Sequence, residues 1–339
     1  MPVRPIKTLL VYYHPVVWDL AETFSKMNHS VTVAVNPKIT DNYGTGFDII
    51  KRAQKKFDCN IDVIPLPLAL AHLNQKKYDL VGCDGVFDGD KMVMEVCGNN
   101  NIPHFCIQGY PNVVDEPSNN VLSLGWFMPT IRYHKRFPSE GHKKQIDWKE
   151  IAEKGRSSTK NFCVFYPTFH KFKQKIRETD FRPKEHRSGF VSLIQGYQKW
   201  NAYSYEVFKQ VAEKVKGVEN LQGKSHKECF ERINKAKALL HLKWADQPGI
   251  AIFEAMLLGR PVITMNSFVL ASMNAEVLIP DYNSLIADSV DELLEYMQSD
   301  YDDYYVALGE NAEKHAMMLT NFGRQKFKLT RFVNRCLND

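Results

Sequence analysis

The sequence predicts an α/β protein made of two similar halves, each a parallel sheet layered with helices. Three observations carry this expectation. The chain has 339 residues, too many for one small core and suited to about two domains. Short apolar, β-branched runs alternate with helical patterns from Thr8 to Gly109, and the alternation resumes at Gly189. Hydrophobic residues make up 44% and charged residues 24% of the chain, an ordinary globular composition.

In chain order, "TLLVYY" (Thr8 to Tyr13) reads as a strand, a helical pattern runs to "KMNHS", and "VTVAVN" (Val31 to Asn36) is the next strand. "IDVIPL", "YDLVGCD" and "IPHFCIQG" (Ile102 to Gly109) add short strands ending in polar or glycine residues, where parallel sheets place their functional groups. In the second half, "GFVSLIQG" and "ALLHLKW" are strand-like, while "SYEVFKQVAEKVKG" and "SHKECFERINKAK" are amphipathic helices. "WADQPGIAIFEAMLLGRPVITM" (Trp244 to Met265) reads as a helix and then a strand. Pro248 suits the first turn, where its missing N–H costs nothing, and Gly259 with Pro261 ends the helix. The final segment, "NAEKHAMMLTNFGRQKFKLTRFVNRCL", has a helical pattern broken at Gly323.

No stretch approaches roughly 18 uninterrupted apolar residues; "VIPLPLALAHL" is short and carries two prolines. The opening residues do not resemble a secretion signal, so a cytoplasmic, non-integral protein is expected. The seven cysteines are scattered singly without a CxxC pair, which argues for reduced thiols and against a zinc site. Net charge is +5, and it is concentrated: 132–187 holds sixteen Lys or Arg against seven Asp or Glu, leaving the rest of the chain about −4. Four histidines and many aromatics are interleaved there. Such a segment is either a solvated linker surface or an attractor for nucleotide phosphates or nucleic acid.

The chemistry centres on two acids eight positions apart, Asp246 and Glu254. At helical spacing Glu254 is flanked by Ile250, Phe253, Leu257 and Leu258, so its carboxylate rises from an apolar surface and requires a partner. Asp246 by itself reads first as an N-terminal cap, since Asp is a favoured cap residue. The segment "GKSHKECFERINKAKALLHLKWADQPGIAIFEAMLLGRPVITMN" resembles the nucleotide-sugar-binding half of GT-B glycosyltransferases, particularly the retaining family marked by Glu, seven residues, Glu. Gly223, Ala236-Lys237, Leu239 to Leu242, Asp246, Gly249, Glu254-Ala255-Met256, Gly259 and Pro261-Val262-Ile263 follow that family's pattern in order. The similarity continues through "AEVLIPDYNSLIADSVDELLEYM", and "YPTFHKFKQKIRETDFRP" is similar to the stretch that begins the family's second lobe. It is good from Phe181 to about Ser299; the first half matches only in its strand alternation.

The resemblance implies two Rossmann-like domains facing a cleft: 1–175 on the acceptor side, 176–320 binding the donor, and a helix at 321–339 crossing back to the first domain. It implies a retaining transferase with a nucleoside diphosphate sugar as donor and no metal. Glu254 would accept hydrogen bonds from both ribose hydroxyls, and the helix start at Pro248, Gly249 and Ile250 would face the diphosphate or the sugar. Asp246, one methylene shorter than the family's first Glu, would lie near the donor sugar. Gly196 and Lys199 follow the first strand of the second half, where the family holds the diphosphate with two cations. Tyr197 takes the place of one, which Lys171, Lys173 or Lys175 would have to replace.

In the first half Gln108 stands where the family has a His, and His14 where it has a Gly-Gly loop. Asp84 and Asp88 fall where acceptor-side polar groups belong. Packing for His14 and loop capping for the aspartates are the plain structural alternatives. The basic segment 132–187 favours duplex DNA as the partner, with a hydroxymethylated base flipped into the site as in some viral enzymes, which would work in the host cytoplasm. Two other readings stand beside it: a glycan or lipid-linked saccharide acceptor, and a non-catalytic binder of sugar nucleotides or nucleic acid. Nothing matches the His and acid pattern of GT-B epimerases.

Overall fold

A computed structural model describes residues 5–12, 16–38, 40–41, 44–46, 48–51, 61–84, 88–108, 120–124, 161–178, 187–194, 202–243, 249–271 and 277–338. The chain separates into two units: Met1–Phe137 with Asp147–Thr168 and Asn321–Asp339, and Pro138–Ile146 with Phe169–Thr320.

In the first unit the elements are β1 (Lys7–Tyr12), α1 (Val16–Lys26), β2 (Ser30–Val35), the small antiparallel pair β3 (Thr40–Asp41) and β4 (Gly44–Thr45), and β5 (Ile61–Pro65). Next come α2 (Leu66–Asn74), β6 (Leu80–Cys83), α3 (Asp88–Asn100), β7 (His104–Gln108), β8 (Asn120–Leu124) and β9 (Asn161–Phe165). Seven strands form one parallel sheet in the order β5-β2-β1-β6-β7-β8-β9. The order reverses between β1 and β6, which makes their carboxyl ends a topological switch point.

Period-two alternation explains the layering. Leu10 and Tyr12 join Val33, Phe105 and Leu122 in one core, while Leu9 and Val11 join Ala34, Val81, Leu73 and Val93 in the other. Helices bury both faces, as a parallel sheet requires.

In this unit the strands read from the sequence lie within two residues of those observed; in the second unit "GFVSLIQG" and "ALLHLKW" run four residues past the observed strand ends at Ser192 and Leu240. Strands β8 and β9 are additions. "NFCVF" lies within the basic segment 132–187, yet Asn161, Cys163 and Phe165 are buried and pair along β8. Its signal is weak because the edge is anchored by polar groups: Asn161 Nδ2 donates to Asn120 Oδ1 (3.0 Å) and to the Phe332 carbonyl (3.2 Å).

The second unit runs α4 (His170–Glu178), β10 (Phe190–Ser192), α5 (Ala202–Lys214), β11 (Val218–Asn220), α6 (His226–Lys235), β12 (Ala238–Leu240), α7 (Ile250–Leu257) and β13 (Val262–Met265). It continues with α8 (Asn266–Ala271), β14 (Ser284–Ala287), α9 (Val290–Gln298) and α10 (Asp302–Leu319). Its five parallel strands lie in the order β11-β10-β12-β13-β14, with the switch point between β10 and β12. Phe190, Leu240, Ile263, Leu285 and Phe268 build its core.

Two glycines let α10 lie against the end of α7. Gly259, at φ 67°, terminates α7, and its amide reaches the Met256 carbonyl at 2.9 Å. A Cβ at Gly309 would run into the Gly259 carbonyl oxygen.

The C-terminal break falls at Thr320–Asn321 and not at Gly323. Thr320 ends α10, and Asn321 Oδ1 accepts from the Arg324 amide (3.0 Å), capping α11 (Phe322–Asn338) so that Gly323 sits inside its first turn. Helix α11 packs on β9 through Leu329, Phe332, Val333 and Cys336, with Phe332 edge-on to Phe105 at 5.4 Å between ring centres. Gln325 Oε1 accepts from the Tyr166 amide (3.2 Å) at the end of β9.

Candidate functional site

In the second unit the site grows from the switch point. Strands β10 and β12 are neighbours, and 195–200 and 244–248, which follow them in the sequence, are not described. Gly196, Lys199, Asp246 and Pro248 therefore lie outside the described residues, as does Tyr197. Helix α7 opens at Ile250 with Gly249 in the cap position, two residues after the expected start at Pro248. Gly249 occupies the cap position and contributes no side-chain hydrogen bond. The Ile252 amide closes the first turn on the Gly249 carbonyl at 2.9 Å, so the amides of Ile250 and Ala251 precede the helical ladder.

Glu254 follows one turn later among Phe253, Ala255 and Met256 and is only 7% exposed. A carboxylate so placed needs a partner, and His226 supplies it: Nε2 lies 2.7 Å from Glu254 Oε1. The histidine is the first residue of α6, whose start is a capping box: the Ser225 hydroxyl accepts from the Glu228 amide, and Glu228 Oε2 accepts from the Ser225 amide at 2.9 Å. Around the pair stands an aromatic cluster. Phe172 lies 6.3 Å from the His226 ring and 5.2 Å from Phe230, and Phe169 lies 5.6 Å from Phe253.

Sequence reasoning missed His226. The signal present was a Ser-His-Lys-Glu capping box at the head of the amphipathic helix, which shows where the helix begins but not what its first side chain meets.

The replacement cations are partly committed elsewhere. Lys173 Nζ donates to the Thr320 carbonyl (2.8 Å), an end-of-helix role that uses one of its three donors. Lys175 Nζ sits 3.9 Å over the Phe230 ring, a cation–π contact on the aromatic cluster.

At the far end of α7, Arg260 is 2% exposed. Its Nε donates to the Asn234 carbonyl at 3.0 Å, Nη2 donates to the same carbonyl and to Asn234 Oδ1, and Nη1 reaches the Gly259 carbonyl at 3.2 Å. The guanidinium thus ties the last turn of α6 to the end of α7. Burial and the neighbouring Arg187 lower its pKa.

In the first unit, Asp84 and Gln108 end neighbouring strands, β6 and β7, paired through Cys83 and Cys106. Asp84 is 2% exposed beside the switch point, its carbonyl accepts from Cys106 Sγ (3.0 Å), and its Oδ2 has no partner among the described residues. Burial and then the nearby Asp90 hold its carboxyl well above the usual carboxylate range. A partnered loop cap would show the opposite shift. The side chains of Gln108 and Asp88, and all of His14, lie outside the described residues.

A prediction follows from that shift. The folded state retains the Asp84 proton to higher pH than the unfolded chain, so wild-type stability falls as pH rises above about 4 through this window. Asp84→Asn removes the cost, so it is expected to stabilise the protein by more than about 1 kcal/mol at pH 7 and by little at pH 4. Urea unfolding at both pH values checks this; equal gains at both would contradict the burial argument.

Neither a family model nor a curated protein sequence matches the chain. Solved structures do. Anabaena Alr3699/HepE in complex with UDP-glucose superposes with a TM-score of 0.62 at 12% identity, covering 97% of this chain and 100% of that one. The chain has the GT-B fold.

AviGT4, a glycosyltransferase involved in avilamycin A biosynthesis, superposes at 0.58 with 12% identity, covering 98% of each chain. A UDP-GlcNAc 2-epimerase from Neisseria meningitidis bound to UDP-GlcNAc superposes at 0.51 with 12% identity, over 97% of this chain and 100% of that one. The fold therefore accommodates both transfer and isomerisation, and the reaction must be argued from residues. Among the described residues no helix is long and apolar enough to cross a membrane, and no three His, Cys, Asp or Glu side chains are grouped to hold a metal ion. The six described cysteines are buried free thiols.

Proposed function

We propose that this protein is a glycosyltransferase that moves a sugar from a nucleoside diphosphate donor to an acceptor hydroxyl. The observation that carries the reading is Glu254. It is a buried carboxylate on the helix after β12, at the switch point of a GT-B donor-type unit, in the order of motifs that resembles the Glu-x7-Glu family. Similar solved structures hold UDP-glucose and UDP-GlcNAc.

In this reading Glu254 takes the ribose diol. The leading amides of α7, which no side chain among the described residues caps, meet the diphosphate. Asp246 contacts the donor sugar and Lys199 the diphosphate, with Gly196 allowing close approach. On the acceptor side are Asp84, Gln108 and His14. The bond from the sugar's anomeric carbon to the diphosphate breaks through an oxocarbenium-like transition state, and the acceptor oxygen takes the vacated position with retention. The acceptor proton leaves with the diphosphate, whose charge the helix dipole stabilises.

For the acceptor, the basic segment 132–187 supports a hydroxymethylated base in duplex DNA. Of that segment the described parts are β9, α4, the residues joining them and Arg187, and they add nothing specific to nucleic acid.

The test is incubation with a panel of nucleotide sugars, with and without hydroxymethylated duplex DNA or oligosaccharide acceptors, following released nucleoside diphosphate. Acceptor-dependent release is expected. Isomerised donor without release would replace the transferase reading with the epimerase one, and absence of both would overturn it.

A further inference from the structure

We propose that His226 is a positioning residue that holds one oxygen of Glu254, leaving the other set for a vicinal diol; the inference rests on the donor-site reading above.

Three observations carry it. First, the contact is asymmetric: His226 Nε2 engages Oε1 at 2.7 Å, while Oε2 has no hydrogen-bond partner among the described residues. Oε2 is not among the fully buried unsatisfied atoms, so it keeps the access through which a ligand hydroxyl can reach it. Second, the two side chains differ in exposure: that of Glu254 is 9% exposed and that of His226 65%. An ion pair with one member so exposed contributes little to stability. A ring that stays accessible while fixing a buried acid is suited to orienting that acid for something arriving from solvent.

Third, the ring is itself held. Ser225 and Glu228 fix the backbone at the head of α6, and Phe172, edge-on to Phe230, lies against the imidazole. A short side chain rooted at a capped helix start sets the carboxylate's rotation more sharply than a lysine ammonium on a flexible stem could. Nε2–H donates to Glu254, so the diol's two hydroxyls donate to Oε2 and to the remaining lone pair of Oε1.

The experiment compares His226→Ala and His226→Gln with the wild type and Glu254→Ala, using full-length chains. Binding of UDP and 2′-deoxy-UDP is measured by calorimetry, with the ADP and GDP pairs run alongside. The decisive quantity is the preference for the ribose over the deoxyribose nucleotide, which a purely structural role for His226 would leave unchanged.

His226→Ala is expected to lose about 10-fold of that preference, and His226→Gln, whose amide can donate to Oε1, to recover most of it. With an active donor in hand, KM for the nucleotide sugar rises in His226→Ala while kcat changes little. If Glu254→Ala loses the preference and His226→Ala keeps it, the inference falls and the donor-site reading stands. If Glu254→Ala also keeps it, or if no nucleotide binds, the reading falls and takes the inference with it.

Discussion

Glu254→Ala is expected to weaken nucleoside diphosphate binding by about 100-fold while the protein stays folded. Two hydrogen bonds to a charged acceptor, each worth about 1.5–3 kcal/mol, account for a loss of that size. Folding survives because the deletion leaves no stranded charge: the partner, His226, has a side chain 65% exposed and returns to water. The neighbours Phe253, Ala255 and Met256 keep α7 packed. Isothermal titration with the nucleotide released in the donor panel, together with an unfolding curve, separates the two effects. Full binding by the variant would remove Glu254 from the donor site.

Arg260→Ala should have the largest effect on stability, a loss of about 4 kcal/mol. The substitution strands the Asn234 carbonyl and side-chain oxygen in an interior closed to water, and it leaves a cavity where a long side chain lay. Each stranded acceptor costs about 1–3 kcal/mol, against a total stability of about 5–15 kcal/mol for an ordinary domain. Arg260→Lys keeps one donor and loses the fork, so its loss is intermediate. Chemical denaturation of the three chains gives the ranking; a near-neutral Arg260→Ala would show that the α6–α7 junction does not depend on the guanidinium.

These two residues show where sequence reasoning ends. Glu254 was legible because an acid at helical spacing among Ile250, Phe253, Leu257 and Leu258 breaks a rule of patterning and therefore stands out. Arg260 was not, because in "GRPV" it follows the helix-ending Gly259, where an arginine usually faces water. The approach of the α6 C-terminus, twenty-six residues back in the chain, turns it inward. His226 was equally silent, since its partner lies twenty-eight residues ahead. Strand β9 was hidden for a related reason: its neighbourhood in sequence is basic and polar, and its pairing with β8 spans about forty residues.

Local pattern by itself determined the alternation of strands and helices, the two halves, the end of α7 at Gly259 and the position of Glu254, because each depends on interactions within a few residues along the chain. The tertiary structure decided which oxygen of Glu254 is held and by what, that Arg260 is a buried staple, that Asp84 carries a raised pKa beside Asp90, and that α11 closes over β9. Those depend on groups brought together from distant positions, where burial sets the energy of every polar atom and a one-dimensional pattern carries no record of the partner.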